Sequence, residues 1–167
     1  RHETLVKVWL QIFKRAGFTA FVGASLKTYA QQLGIKGDRF QQKADIGVLN
    51  WEGRIAWFDV GVTAIRRNSR GEDEVKTYAS HKTNKYHQGI QALNAAYPES
   101  VMFTDQWVFI PLVTNSLGVW DDQANDILQK CAAKLEKRKQ GLFIQLWRQK
   151  LLVALYKSQY SDWTDKL

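Results

Sequence analysis

Apolar residues Leu5, Val8, Trp9, Ile12 and Phe13 recur every three to four positions, so residues 4–15 are predicted to form an amphipathic helix that Gly17 ends. From 18 to 40 the pattern is broken by Gly23, Gly34 and Gly37, and loops with one short helix over 26–33 are expected. The period then changes. Residues 44–49 read as a strand, Asn50-Trp51-Glu52-Gly53 as a turn and residues 55–63 as a second strand, which together make a hairpin. A polar loop over 66–76 follows, with Asn68-Ser69-Arg70-Gly71 at its tip. A helix then runs from about Val75 or Thr77 to Ala96, with Pro98 just past its end. Two further runs, 100–103 and 106–113, are rich in β-favouring residues, and a polar corner over 115–118 separates them from the rest. Ile127, Leu128, Cys131 and Leu135 predict a helix over 124–138, and after Gly141 a long helix runs from Leu142 to about Tyr160. This order predicts one α/β domain over residues 1–167, a mixed central sheet flanked by helices.

Composition narrows the class. Hydrophobic residues make up 45% and aromatic residues 13% of the 167, enough for a sizeable core. No apolar run reaches the roughly 18 residues of a membrane span, and Arg1-His2-Glu3-Thr4 has no signal-peptide core, so a soluble protein is expected. The single cysteine, Cys131, excludes an internal disulfide and a Cys-x-x-Cys zinc pair, in keeping with a reducing intracellular compartment; its place on an apolar helical face points to packing. Twenty-four Lys and Arg against sixteen Asp and Glu leave a net charge of +8, which draws polyanions, nucleic acid foremost.

Two acids interrupt apolar strands: Asp45 at the start of one and Asp59 inside Trp57-Phe58-Asp59-Val60. A carboxylate in such a strand is costly unless a cation meets it. Either each acid has its own structural partner, or the two converge across the hairpin on one divalent metal, which takes carboxylate, carbonyl and water oxygens. Lys82, Lys85 and Tyr86 lie at spacings of three and four on the helix that follows, so they project from one side. Phosphodiester hydrolysis uses such a set: a metal that activates water and a cation that meets developing charge.

These residues resemble a family. In restriction-like nucleases a hairpin carries an acid, then a second acid followed two residues later by lysine, the PD-(D/E)XK pattern. Here Ala44-Asp45 is followed after thirteen residues by Asp59-Val60-Gly61, so alanine stands where proline is usual and glycine where lysine is expected. The nuclease domains of site-specific non-LTR retrotransposons depart in a similar way, with a strand like Val-Asp-Val-Thr-Val and the lysines on the next helix as Lys-x-x-Lys-Tyr. Phe58-Asp59-Val60-Gly61-Val62-Thr63 and Lys82-Thr83-Asn84-Lys85-Tyr86 are similar to those pieces. So are Arg1-His2 ahead of an apolar helix, Phe109-Ile110-Pro111-Leu112-Val113 running to Leu117-Gly118 and Trp120, and the closing Leu151-Leu152-Val153-Ala154-Leu155.

The resemblance implies a restriction-endonuclease-like fold and a nickase domain that cuts DNA with Mg²⁺ or Mn²⁺. That cut primes reverse transcription, in the nucleus, beside a reverse transcriptase domain of the same parent polypeptide and with RNA–DNA intermediates at hand. It implies that Asp45, Asp59 and the Val60 carbonyl ligate the metal, and that Lys82 or Lys85 replaces the strand lysine. Tyr86 either positions water or a phosphate, or packs. Glu3 is either an extra carboxylate from the first helix or a solvated acid in its first turn. Arg66, Arg67 and Arg70, in the loop just past the second acid's strand, either grip phosphates beside the cut or are solvated loop charge. Trp51, in the turn, is a candidate for stacking on a base. His81 and His87 lack metal-ligand partners and read as surface residues, and the basic run over 134–139 as a solvated helix end. The other reading is a catalytically inactive relative, the same fold kept as a nucleic-acid or protein binding module.

Overall fold

The computed structural model describes residues 2–37, 40–64, 73–96 and 107–164, with side chains as far as residue 160. Among them are four strands and five helices: α1 (His2–Arg15), β1 (Ala20–Ser25), α2 (Leu26–Gln32), β2 (Lys43–Trp51), β3 (Arg54–Thr63), α3 (Glu74–Ala96), β4 (Trp107–Asn115), α4 (Asp122–Ala133) and α5 (Lys137–Thr164). The expected arrangement of a mixed sheet with flanking helices is present. The strands lie in the order β1-β2-β3-β4. β1 and β3 run antiparallel to β2, and β3 and β4 pair in parallel from Ile55↔Trp107 to Thr63↔Asn115. A parallel neighbour needs a long crossover, and the segment between β3 and β4 contains α3.

Alternation along β3 feeds two apolar layers. Ala56, Phe58 and Val60 join α1, α4 and α5 in a core that includes Leu5, Trp9, Ile12, Phe13, Ile127 and Trp147. Trp57 turns to the other side, where it packs with Leu26 and Ala30 of α2, Leu93 of α3 and Trp107. The β2–β3 connection is the tight turn expected, with Glu52 at φ 49° and Gly53 at φ 76°, the two consecutive positive angles such a hairpin turn requires.

Three expectations change. The region over 20–25, expected to be loop, is β1: its pairing with β2 from Ala20↔Val48 to Ser25↔Lys43 supplies the order that its interrupted apolar pattern does not signal. The helix expected over 124–138 ends at Ala133, because Lys134 and Leu135 N–H groups turn back to the carbonyls of Cys131 and Ala132 in a tightened last turn. The next helix already begins at Lys137 and runs through Gly141, so the basic run spans the turn between two helices and the first turn of α5. Packing of Phe143, Trp147, Leu151 and Leu155 into the core holds α5 against the roughly 1 kcal/mol cost of a mid-helix glycine. The strand expected over 100–103 lies outside the described residues. Cys131 is fully buried, and burial pushes its thiol up to about 12, in keeping with packing. No helix among the described residues is long and apolar enough to cross a membrane.

Candidate active site

The site arises where two strands part. The β2–β3 ladder runs from Trp51↔Arg54 to Ile46↔Phe58, and one more step of that register sets Asp45 across from Asp59. There the Val60 amide donates to Asp45 Oδ2 at 2.8 Å. A side-chain carboxylate thus stands where a strand partner would supply a backbone carbonyl, which satisfies a group that burial would otherwise leave costly. β3 itself stays paired with β4 past this point, so its backbone is held firmly while its other edge opens as a fork.

Two basic side chains close the fork from opposite faces of the sheet. From α1, His2 Nε2 stands 2.7 Å from Asp45 Oδ2 and 2.9 Å from the Val60 carbonyl oxygen. From α3, Lys82 Nζ donates to Asp59 Oδ2 at 2.7 Å and to Val60 O at 3.2 Å. One ligand atom from each of His2, Asp45 and Asp59 lies within 4.8 Å of the others. Burial is graded: the side chains of Asp59 and Lys82 are 9% and 13% exposed, those of Asp45 and His2 18% and 46%. The cluster is therefore sealed towards α3 and open towards the first turn of α1.

Electrostatics separates the two acids. Burial, reinforced by contact with Asp45, pushes the Asp59 carboxyl up to about 6 against the pull of Lys82. Burial acts on Asp45 in the same direction, but its contacts with His2, Asp59 and the Val60 amide outweigh it and hold Asp45 below the usual carboxylate range. The His2 imidazole is raised, first by its hydrogen bond to Asp45. Two carboxylates, an imidazole nitrogen and a carbonyl oxygen around one point are a donor set suited to a divalent cation.

Gly61, where the family pattern has lysine, is what lets Lys82 in. A Cβ there would lie 2.6 Å from Lys82 Cε and 2.6 Å from Tyr78 Cε1, so the bare backbone is the floor on which the lysine stem rests. Of the two candidate lysines the structure brings Lys82 to the acids. Lys85 is exposed, its ammonium 5.6 Å from the Tyr86 ring centre.

Several candidates stand elsewhere. Tyr86 does not present its hydroxyl to a phosphate: it is 1% exposed, donates to Lys43 O at 2.6 Å and stacks on Phe109 at 4.1 Å between ring centres. Burial first, then the charges of Asp59 and Asp45, raise its phenol well above the usual range. Glu3 is exposed on the side of α1, beside the cluster and outside it; the residue α1 sends into the fork is His2. Trp51 is no stacking platform, since it is 2% exposed and packed among Phe13, Phe18 and Phe58. His81 and His87 are exposed. Arg66, Arg67 and Arg70 lie outside the described residues. His2 is the residue that sequence reasoning does not place in the site. Its one signal is its position, just ahead of the amphipathic helix and within the Arg1-His2 similarity.

Two depressions meet at His2. One of about 310 Å³ runs along Gly61, Val62 and Thr63 to Tyr78 and Lys82; the other, about 380 Å³, passes Glu3, Lys7, Lys43 and Asp45. Fold and site together define a mixed α/β protein with an acid pair, an imidazole and an ammonium group at a strand fork. Compared with known proteins, the chain matches no family model and no curated sequence.

Proposed function

We propose that this chain is a metal-dependent DNA endonuclease domain with a restriction-like fold, one that nicks DNA. The observation that carries the reading is the meeting of Asp45, Asp59, the Val60 carbonyl and the Lys82 ammonium at the fork. A divalent cation, Mg²⁺ or Mn²⁺, would supply there the Lewis acidity that polarises a phosphoryl oxygen and makes water more acidic. Asp45, Asp59 and Val60 O would hold it; the β3–β4 ladder fixes Asp59 and Val60, and the Val60 amide tethers the Asp45 carboxylate. Lys82 offers a compact positive charge at the depression that runs along Gly61, Val62 and Thr63, where it would meet charge that develops on the phosphoryl group. Water oxygen bonds to phosphorus, the water proton is lost to solvent, the bond from phosphorus to the 3′ oxygen breaks, and that oxygen leaves with a proton as a 3′ hydroxyl. Such an end is what a polymerase extends. The similarity to the nuclease domains of site-specific non-LTR retrotransposons therefore supports a role in priming reverse transcription in the nucleus, with a reverse transcriptase domain in the same parent polypeptide. The net charge of +8 supports DNA as the partner.

The test is nicking of supercoiled plasmid with Mn²⁺ or Mg²⁺. Wild type is expected to nick, while Asp59→Ala and Asp45→Ala lose the activity. Cutting that persists in both variants places the chemistry elsewhere. A second reading has one observation of its own: Lys82 and His2 already pair with Asp59 and Asp45. Self-contained ion pairs of this kind suit a relative that has kept the fold as a binding module. Absence of metal-dependent nicking in folded wild type, with DNA or protein binding retained, favours that reading.

A further inference from the structure

We propose that His2 is the nitrogen ligand of this centre, and that it tilts the site's preference from Mg²⁺ towards Mn²⁺ and the later first-row ions. The inference rests on the nuclease reading in so far as that reading places a divalent cation between Asp45 and Asp59.

The geometry of the ring carries it. Nε2 faces two acceptors at once, Asp45 Oδ2 at 2.7 Å and Val60 O at 2.9 Å, yet a ring nitrogen carries a single proton and cannot satisfy both with one linear hydrogen bond. Each oxygen has another donor, the Val60 amide for Asp45 Oδ2 and Lys82 for Val60 O, so neither depends on the ring for a proton, and a shared cation would take all three atoms as ligands. Neighbouring ligands of an octahedral ion bound at about 2.1 Å are about 3.0 Å apart, which is within a few tenths of the two distances seen. Asp59, whose ligand oxygen lies within 4.8 Å of both His2 and Asp45, completes the set from the far side.

His2 is also placed as a ligand needs to be. It sits in the first turn of α1, whose Leu5, Val6 and Trp9 are buried in the core, so its backbone is fixed. The ring itself is 46% exposed, where the two depressions meet, which gives an ion a path from solvent to Nε2. Mg²⁺ prefers oxygen ligands and gives up its waters reluctantly, whereas imidazole suits the later first-row ions best, and affinity at a site holding nitrogen rises along that row from Mn²⁺ onward. One nitrogen among oxygens thus makes a selectivity filter out of an otherwise hard-oxygen site.

Electron paramagnetic resonance of Mn²⁺ bound to the full chain reads this directly. Electron spin-echo modulation from one imidazole nitrogen is expected in wild type, and ¹⁵N-histidine labelling should change its frequency without any substitution. His81 and His87 are exposed and are absent from the cluster, so the signal reports His2. His2→Gln should remove the modulation and narrow the ratio of Mn²⁺ to Mg²⁺ affinity by about tenfold or more, while its melting curve without metal shows a folded protein. Bound Mn²⁺ with no nitrogen modulation in wild type overturns the ligand assignment and leaves the nuclease reading standing. Equilibrium titration that finds Mg²⁺ binding without Mn²⁺ binding also overturns the ligand assignment alone, and titration that finds neither ion bound overturns both.

Discussion

Lys82 Nζ lies 2.7 Å from Asp59 Oδ2, although 23 positions separate the two residues and no lysine stands on the strand that carries the acid. The ammonium group reaches the fork because Gly61 leaves an open strip of β3 backbone beside the lysine stem. Glycine on the strand and lysine on the helix are thus one arrangement: a side chain at 61 and the present path of Lys82 exclude each other.

Gly61→Ala should therefore damage the site while leaving the fold recognisable. The new methyl meets Lys82 Cε and the Tyr78 ring, each at 2.6 Å, and the lysine can swing away while the ring is less free to move. Overpacking of this kind costs typically about 1–3 kcal/mol. Denaturant melts should show a loss of that size, and plasmid nicking should fall far more steeply than stability does. Undiminished nicking in Gly61→Ala would mean that the Lys82 position is not used.

Lys82→Met and Lys85→Met separate the two lysines. Methionine keeps much of the stem at 82 and removes the charge, so Asp59 is left buried without its cation. Breaking such a pair costs roughly 3–5 kcal/mol, less to the extent that Asp59 takes up a proton instead. Nicking by Lys82→Met should drop about a hundredfold, in the range of a lost charge-stabilising group. Lys85 is exposed, and Lys85→Met should stay within about 0.5 kcal/mol of wild type with near-normal nicking. The reverse order would assign the role to Lys85.

The helical arithmetic behind that pair shows what can be read in the chain and what cannot. Spacings of three and four put Lys82, Lys85 and Tyr86 on one side of α3, but the buried line is Val75, Ala79, Tyr86, Gly89 and Leu93; Lys82 joins it and Lys85 falls on the solvent side. The hairpin and its two acids are legible, because alternation with a period of two marks a strand and a carboxylate inside an apolar strand stands out from it. Trp51 is not. Its polar neighbours suggest an exposed turn, yet the register shifts between Val48 and Trp51, and that irregularity brings Trp51 to the same core as Val48. His2 is hidden for another reason: its partner Asp45 is 43 positions away, and nothing local about an imidazole in a first helical turn announces a long-range contact.

DNA binding offers a test of the charge argument that is independent of catalysis. With a net charge of +8, association is expected to rest largely on phosphate contacts and counterion release. The logarithm of the binding constant, measured by fluorescence anisotropy without metal, should fall linearly with the logarithm of salt concentration. A protein that makes about six phosphate contacts loses on the order of a thousandfold in affinity between 50 and 200 mM salt. A flat response would remove nucleic acid as the partner.

Acid should antagonise the cation, and the direction follows from the two aspartates. Burial above all, with Asp45 beside it, raises Asp59 from 3.8 to about 6, so the folded chain holds a proton there that the unfolded chain releases. The contribution of Asp59 to stability is accordingly full below about 3.8 and is lost as pH climbs through about 6. Asp45, held low, acts the other way: its contribution is present above its ordinary value and lost as pH falls. A divalent ion needs both carboxylates ionised and, with His2 as ligand, the imidazole neutral, so between pH 5 and 7.5 it competes with protons on Asp59 and on His2, both raised from their ordinary values. Mn²⁺ at about 100 times its Kd stabilises by about 2.7 kcal/mol, roughly 5–10 °C in Tm for a protein of this size. That shift is expected at pH 7.5 and should shrink towards nothing at pH 5. In Asp59→Asn it should be largely lost at both values, because the amide has no proton to surrender and only a weak ligand to offer. An equal or larger shift at pH 5 in wild type would show that the ion binds away from Asp59.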